Sequence, residues 1–197
     1  MTRKREYVDY KAYKEHQIEK TNDPVKRKRR AARREKDLIK FAKWFEPLKR
    51  TCLKNGGKAL SLGSWMGTEV EALKHLGFDA VGIDLVPYPP LVLKGDFHKL
   101  RFKDSSFQLV YSNAVDHVYD LDRFVAEVSR VLTDQSVLLF GLLVGPNVWG
   151  TYLSLALDEP DDIVKPFEAE GFKVLELSSM TGGGLNMSLL MERNRNG

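Results

Sequence analysis

The stretch KALSLGSWMGTEVEALKHLGFDAVGIDLVP, residues 58–87, decides the fold of this chain. An apolar run leads into a glycine-containing turn, then into an amphipathic segment, and then into a second apolar run (79–83) that ends at Asp84. This order predicts strand, turn, helix and parallel strand, the start of a Rossmann-like nucleotide-cofactor fold. The turn GSWMG (63–67) departs from the usual pattern, because Trp65 stands where such turns have a middle glycine.

Composition limits the classes of protein that this chain can belong to. With 197 residues and 43% hydrophobic content it can bury one core, so we expect one domain with an extension. The single cysteine, Cys52, excludes an internal disulfide and fits a reducing compartment. The charged N-terminus does not resemble a secretory signal, and the longest apolar run (136–145) is about half of a membrane span. We therefore expect an intracellular, cytoplasmic protein without a membrane span.

Charge is distributed unevenly along the chain. Residues 1–50 hold 18 Lys and Arg against 8 Asp and Glu, whereas residues 51–197 hold 13 against 19. We predict a basic helical extension over 1–50 and an α/β domain over 51–197. The basic run KRKRRAARR (26–34) lacks an apolar stripe, so we expect it to stay solvated. Such a run also allows a nucleic acid, nuclear import or an acidic partner.

Two helices are predicted in the extension. A loose helix covers part of residues 1–23, and a second begins at Pro24 with Asp23 as its N-cap and runs to about residues 44–48. The second helix carries an apolar stripe able to dock on the body, which consists of Leu38, Phe41, Phe45 and Leu48.

Strands and helices alternate from Lys58 onward. The last two predicted strands are separated only by TGGG, too short for a parallel crossover, so they must pair antiparallel. We predict a Rossmann-like, doubly wound, mostly parallel seven-stranded sheet that ends in an antiparallel hairpin. The predicted strands are 58–62, 79–83, 91–94, 107–112, 136–143, 172–180 and 185–193.

Polar residues follow the predicted strands at the edge where open α/β sheets bind ligands. The turn 63–67 precedes a helix N-terminus, whose free amides suit an anionic group; an ordinary strand-to-helix turn is the alternative. Asp84 can accept from both ribose hydroxyls, or it is a solvated loop residue. Asp96 can accept from the exocyclic amine of adenine, with Phe97 or Leu85 against the ring, although Gly-Asp alone also makes a simple turn.

The fourth strand is followed by Asn113, Asp116 and His117. His117 can act as a general base near neutral pH, and Asp116 can orient it or hold a cation. A capping and packing role before the next helix is the alternative. The four histidines and one cysteine show no metal-ligand spacing, so we predict no metal site.

Taken together, these motifs resemble a class I S-adenosylmethionine-dependent methyltransferase over about residues 58–193. LSLGSWMG (60–67) is similar to the glycine-rich first motif of this family, and AVGID (80–84) to its second. GDFHKLRFKDSSFQLVYSNAVDHV (95–118) is similar to a segment common in its small-molecule and ubiquinone-type members. DRFVAEVSRVL (122–132) resembles the helix that follows, and the terminal antiparallel pair suits the same fold.

The resemblance implies S-adenosylmethionine as cofactor and assigns roles to residues. The turn would hold its methionine part, Asp84 its ribose, Asp96 and Phe97 its adenine, and Asn113 would lie beside the methyl group. The predicted cofactor-binding residues are Gly63, Ser64, Trp65, Met66, Gly67, Asp84, Leu85, Asp96, Phe97 and Asn113.

Two positions depart from the family pattern. Ser61 replaces the acid that the family usually has two residues before the first glycine, and this change removes a partner for the cofactor's ammonium group. Trp65 replaces the middle glycine of the turn. Glu69 is near enough in sequence to substitute for the acid, although we expect the start of a helix to direct it elsewhere. Trp65 either points into the site or packs against the extension.

The sequence thus predicts a methyltransferase that holds an acceptor, most readily a small molecule, near Asn113, Asp116 and His117 for in-line transfer. Proximity and orientation supply much of the rate of such a reaction. The alternatives are a non-catalytic binding or scaffold protein of the same fold, and an RNA or protein methyltransferase that uses the basic run. A nucleotide-binding oxidoreductase is opposed by the missing middle glycine and by the terminal hairpin.

Overall fold

Helices and strands alternate through most of the chain in the computed structural model, which describes residues 2–148 and 150–194. None of the helices in these ranges has the length and apolarity needed to cross a membrane. The strands are β1 (Arg3–Lys4), β2 (Lys58–Leu62), β3 (Asp79–Asp84), β4 (Val92–Lys94), β5 (Phe107–Ser112), β6 (Leu132–Leu142), β7 (Leu155–Ala156), β8 (Phe172–Gly182) and β9 (Leu185–Asn194). The helices are α1 (Tyr10–Asn22), α2 (Pro24–Ala31), α3 (Arg34–Trp44), α4 (Thr68–His75), α5 (Leu121–Val131) and α6 (Asp161–Ala169).

Seven strands form one mixed sheet in the order β4-β3-β2-β5-β6-β9-β8. Neighbours from β4 to β6 pair parallel, and β9 pairs antiparallel with both β6 and β8. The short strands β1 and β7 form a separate antiparallel pair. The predicted seven-stranded, mostly parallel sheet with a terminal antiparallel hairpin is confirmed.

Helices cover both faces of the sheet, which explains why its central strands are apolar along nearly their whole length. On one face, Phe140 of β6 packs with Phe124 of α5 and Phe167 of α6. On the other face, the adjacent Leu139 belongs to a cluster that contains Phe41 of α3. The sequence neighbours point to opposite faces because side chains alternate along a strand.

The N-terminal extension is part of this core. Phe41, Phe45 and Leu48 are at most 2% exposed, so the predicted apolar stripe docks on the sheet. The predicted single helix from Pro24 is instead two helices, because the backbone leaves the helical region at Arg33 (φ −104°, ψ 2°). Because of this break, α3 can pack on the sheet while α2 contacts the rings of Trp65 and Tyr152.

The prediction that the basic run stays solvated is wrong for one of its faces. Lys26, Arg30 and Arg34, spaced by four residues, are half-buried. The Arg30 guanidinium lies 5.4 Å from the ring centroid of Trp65, and Arg34 forms an ion pair with Glu71 of α4. Four-residue spacing brings side chains to the same side of the chain, and this side meets the body.

Candidate active site

A cavity of about 470 Å³ lies at the carboxyl ends of β2, β3 and β5. Parallel strands end at one sheet edge, so residues distant in sequence meet there. Nine of the twelve predicted site residues line the cavity, and they are Gly63, Trp65, Asp84, Leu85, Asp96, Phe97, Asn113, Asp116 and His117. Ser64, Met66 and Gly67 are absent from its lining.

Three residues in the turn after β2 have a left-handed backbone conformation. Gly63 has φ 70°, and a Cβ added there would lie 2.6 Å from the Cβ of Ala114, so only glycine fits. Gly67 has φ 75°, and its Cβ would lie 2.9 Å from the Cβ of Leu91, so this glycine permits close packing of α4. Trp65, at φ 39°, adopts the same region despite its bulk.

Asp84 fixes the shape of this turn. Its two carboxylate oxygens accept hydrogen bonds from the backbone amides of Trp65 and Val86, each at 3.0 Å. Burial raises the pKa of Asp84, and these two hydrogen bonds oppose the rise. The amide of residue 65 is therefore committed to Asp84, while the carboxylate itself borders the cavity.

The Trp65 side chain lies between the cavity and the extension. It lines the cavity, and Arg30 of α2 lies over its ring. Its indole Nε1–H is buried and has no hydrogen-bond partner within residues 2–148 and 150–194. Both orientations considered from the sequence therefore apply, because the indole meets the cavity and also packs against the extension.

Asp96 is already hydrogen-bonded to the extension. The Tyr10 hydroxyl lies 2.8 Å and 2.7 Å from its two carboxylate oxygens, to which it donates. His98 Nε2 accepts from the backbone amides of Tyr119 and Asp120, so its proton sits on Nδ1, which donates to Asp96 at 3.2 Å. Burial alone would raise the pKa of Asp96, but the bonds from His98 and Tyr10 lower it to about 2.

His117 forms a second polar cluster with Lys20 of α1. Its Nδ1–H donates to the carbonyl of Tyr152 at 2.9 Å, so Nε2 carries the lone pair and accepts from Lys20 Nζ. Asp116 Oδ1 lies 3.7 Å from the same Nε2. Burial lowers the pKa of His117, and it lowers the pKa of Lys20 to about 8 against the opposing charge of Asp116. Burial therefore makes both side chains release a proton more readily than they would in water.

Sequence reasoning missed the contribution of α1. Tyr13, Gln17 and Lys20 line the cavity from this helix, at spacings of four and three residues that place them on one side. Gln17 Nε2 donates to the carbonyl of Tyr152 at 3.0 Å, which ties α1 to the segment after β6. The only signal in the sequence is this mixed aromatic, amide and cationic stripe.

Glu69 is a second residue that the sequence reasoning misplaced. We expected the start of α4 to direct it elsewhere, yet Glu69 lines the cavity and is 4% exposed. Ser61, which stands at the position of the usual acid, is fully buried and is absent from the lining.

Comparison with known proteins agrees with this architecture. Residues 60–140 match the sequence model of a family described as a methyltransferase domain. No curated protein sequence matches the chain. The family match supports S-adenosylmethionine as the predicted cofactor.

Several solved structures share the fold at low sequence identity. The Burkholderia thailandensis 1,6-didemethyltoxoflavin-N1-methyltransferase, solved with 1,6-didemethyltoxoflavin and S-adenosylhomocysteine, has a TM-score of 0.71 at 12% identity, over 98% of this chain and 100% of that chain. A SAM-dependent methyltransferase from Methanosarcina mazei has a TM-score of 0.60 at 16% identity, over 75% and 97%. The [4+2]-cyclase SpnF has a TM-score of 0.64 at 15% identity, over 80% and 81%. Residues 60–140 thus match a methyltransferase-domain family, and the chain has the class I S-adenosylmethionine-dependent methyltransferase fold that its motifs predict.

Proposed function

We propose that this chain is an S-adenosylmethionine-dependent methyltransferase whose acceptor is a small molecule enclosed beneath α1. The observation that carries the proposal is one cavity that joins two sets of residues. One side of the cavity is lined by Asp84 and by the turn that follows β2. Another side is lined by Asn113, Asp116 and His117.

The residues present fit the cofactor. A volume of about 470 Å³ lies within the range of roughly 300–1,000 Å³ found for small-molecule sites. The bare backbone at Gly63 lets a ligand approach the turn closely. Carboxylates of Asp84 and Glu69 on the cavity wall suit a ligand that carries a sulfonium and an ammonium charge. When bound, S-adenosylmethionine supplies an activated methyl group.

The proposed task of the chain's own residues is to position the acceptor and to take up a proton. His117 Nε2 bears a lone pair, and Lys20, whose pKa is about 8, exchanges its proton near neutral pH. When Lys20 has released its own proton to solvent, its neutral amine can take the proton of a hydroxyl or amine acceptor placed between this pair and Asn113, while His117 Nε2 holds the lysine in position. The remaining acceleration comes from holding the acceptor in line.

The cover formed by α1 favours a small acceptor over a macromolecular one. Tyr13 is 1% exposed and Gln17 is 7% exposed, so this helix is packed against the body above the cavity. A base in RNA or a side chain of a protein would have to pass beneath α1 to reach His117.

Calorimetry with S-adenosylhomocysteine tests this function. We expect binding to the wild type, loss of binding in Asp84→Ala, and retained binding in His117→Ala, because Asp84 is assigned to the cofactor and His117 to the acceptor. Methyl transfer should fail in His117→Ala once an acceptor is known. No binding to the wild type at millimolar ligand would favour the alternative of a non-catalytic protein of the same fold.

A macromolecular acceptor is the second candidate, and one observation supports it. Lys28, Arg29 and Arg33 of the basic run are exposed, while the opposite side of the run meets the body. RNA binding that weakens steeply with salt and is lost in a variant with these three residues changed to glutamine would favour this candidate. Absence of RNA binding at about 50 mM salt would leave the basic run with a structural role only.

A further inference from the structure

Glu69 is a buried carboxylate without a cationic partner in hydrogen-bonding distance among the described residues. It lies in the first turn of α4, is 4% exposed and lines the cavity. Burial raises its pKa, and its own backbone amide opposes the rise. Burying a charged group without a partner is costly, so such a group is kept neutral or is matched by a ligand.

The two cations whose charges act on Glu69, Arg30 and Lys40, are bound to another carboxylate. Arg30 Nε lies 3.7 Å from Asp37, and Lys40 Nζ lies 2.9 Å from the same residue. Asp37 is 1% exposed, so it needs both cations to offset its own burial. Arg30 and Lys40 act on Glu69 only through longer-range attraction. The protein therefore leaves the carboxylate of Glu69 open to a cation from the cavity.

The position of Glu69 suits one end of the proposed cofactor. It follows the turn 63–67 by two residues, whereas Asp96 and Phe97 come from the loop after β4. Ser61 stands at the position before the turn where the family usually has an acid. Its hydroxyl is buried and does not line the cavity. The cavity thus has an acidic residue beside the turn, but it comes from α4 instead of β2.

We propose that Glu69 binds the α-ammonium group at the amino-acid end of S-adenosylmethionine and S-adenosylhomocysteine. This inference rests on the proposed function, since it assigns a subsite within the same cavity. It predicts selectivity for ligands that carry a cationic amino-acid end.

Two ligands separate this role from general damage to the site. S-adenosylhomocysteine has the amino-acid end, and 5′-methylthioadenosine has the same nucleoside without it. Glu69→Gln should weaken S-adenosylhomocysteine by about 10- to 100-fold, the usual effect of losing a charge-assisted hydrogen bond, and should leave 5′-methylthioadenosine unchanged. The matched control is Glu71→Gln on the same helix, which pairs with Arg34 and should change neither affinity.

The pH dependence of binding gives a second readout. Burial raises the pKa of Glu69 to about 7, so its carboxylate is protonated below that pH and cannot pair with an ammonium group. Wild-type affinity for S-adenosylhomocysteine should fall as the pH drops through about 7, and this change should be absent in Glu69→Gln. The other charged or titratable groups that act on Glu69 are Arg30, Lys40, Asp84 and Tyr111, and all four remain in the variant.

The outcomes distinguish this inference from the proposed function. If the wild type binds neither ligand, the proposed function fails, and this inference fails with it. If the wild type binds both, but Glu69→Gln weakens both equally or neither, the assignment of Glu69 is wrong and the proposed function stands. A thermal melt confirms that the variant is folded, which we expect because glutamine keeps the shape and removes a buried charge.

Discussion

Replacing Lys20 with methionine should stabilise this protein at neutral pH. Lys20 is half-buried on α1, and its ammonium group meets His117 at the cavity wall. Burial lowers its pKa, although the charges of Asp116 and Asp84 act in the opposite direction. A cation with a lowered pKa holds its proton more weakly in the folded state than in the unfolded chain. Its charge therefore opposes folding at any pH below its folded pKa.

The size of the effect follows from the two pKa values. The pKa of Lys20 falls from 10.5 to about 8, and each pK unit corresponds to about 1.4 kcal/mol. The charged side chain thus costs about 3 kcal/mol of folding free energy below pH 8. This cost fades as the pH rises from about 8 to 10.5, since the unfolded chain then loses the same proton. Methionine fills a similar volume without the charge.

Urea denaturation of wild type and Lys20→Met at about pH 7 and pH 10 measures this cost. We expect the variant to be more stable by about 3 kcal/mol at pH 7 and by less than about 1 kcal/mol at pH 10. Lys11→Met is the control, because Lys11 lies on the same helix with its side chain 80% exposed, and its effect should be small at both pH values. An equal stability difference for Lys20→Met at the two pH values would mean that the buried charge of Lys20 does not oppose folding.

Three further substitutions test other contacts. Tyr10→Phe removes the donor to Asp96, whose pKa should rise from about 2 towards its usual 3.8, so the variant should be less stable than the wild type above about pH 4, and the difference should shrink as the pH falls towards 2; equal stability of the two proteins at neutral pH would contradict this. Trp65→Phe keeps a ring in the turn and removes a buried N–H, so urea denaturation should show unchanged or slightly higher stability; a loss above about 2 kcal/mol would reveal an unseen partner. Phe41→Ala should cost about 3–5 kcal/mol, because Phe41 is fully buried between α3 and the sheet; a cost below about 1 kcal/mol would mean that the extension does not dock as described.

The sheet and the position of the cavity could be predicted because they depend on local patterns. Apolar runs, glycine turns and the short TGGG link fix strand order and direction with few alternatives. Once the strands are parallel, Asp84 and Asn113 must lie at one edge, although 28 residues of sequence separate them.

The contacts of the extension could not be predicted in the same way. The stripe of Tyr13, Gln17 and Lys20 mixes apolar and charged groups, so its periodicity does not mark it as a buried face. Its position depends on tertiary contacts such as the hydrogen bond from Gln17 to Tyr152. The burial of one side of the basic run could not be predicted for the same reason. It depends on tertiary contacts, in which Arg34 pairs with Glu71 and Arg30 lies over the ring of Trp65.

Glu69 shows how a helix orientation escapes sequence reasoning. Gly67 precedes α4 in the left-handed region, at φ 75°, and the chain direction that results brings the second residue of the helix to the cavity. Residue spacing alone gives which side chains share a helix face, but not which face meets the cavity.

A crystal structure of the protein with S-adenosylhomocysteine would show whether the cavity under α1 is the cofactor site. We expect the ligand in the cavity under α1, with its ribose at Asp84, its adenine beside Phe97 and its ammonium group at Glu69. A ligand bound elsewhere, or an empty cavity in crystals soaked with millimolar ligand, would contradict this expectation.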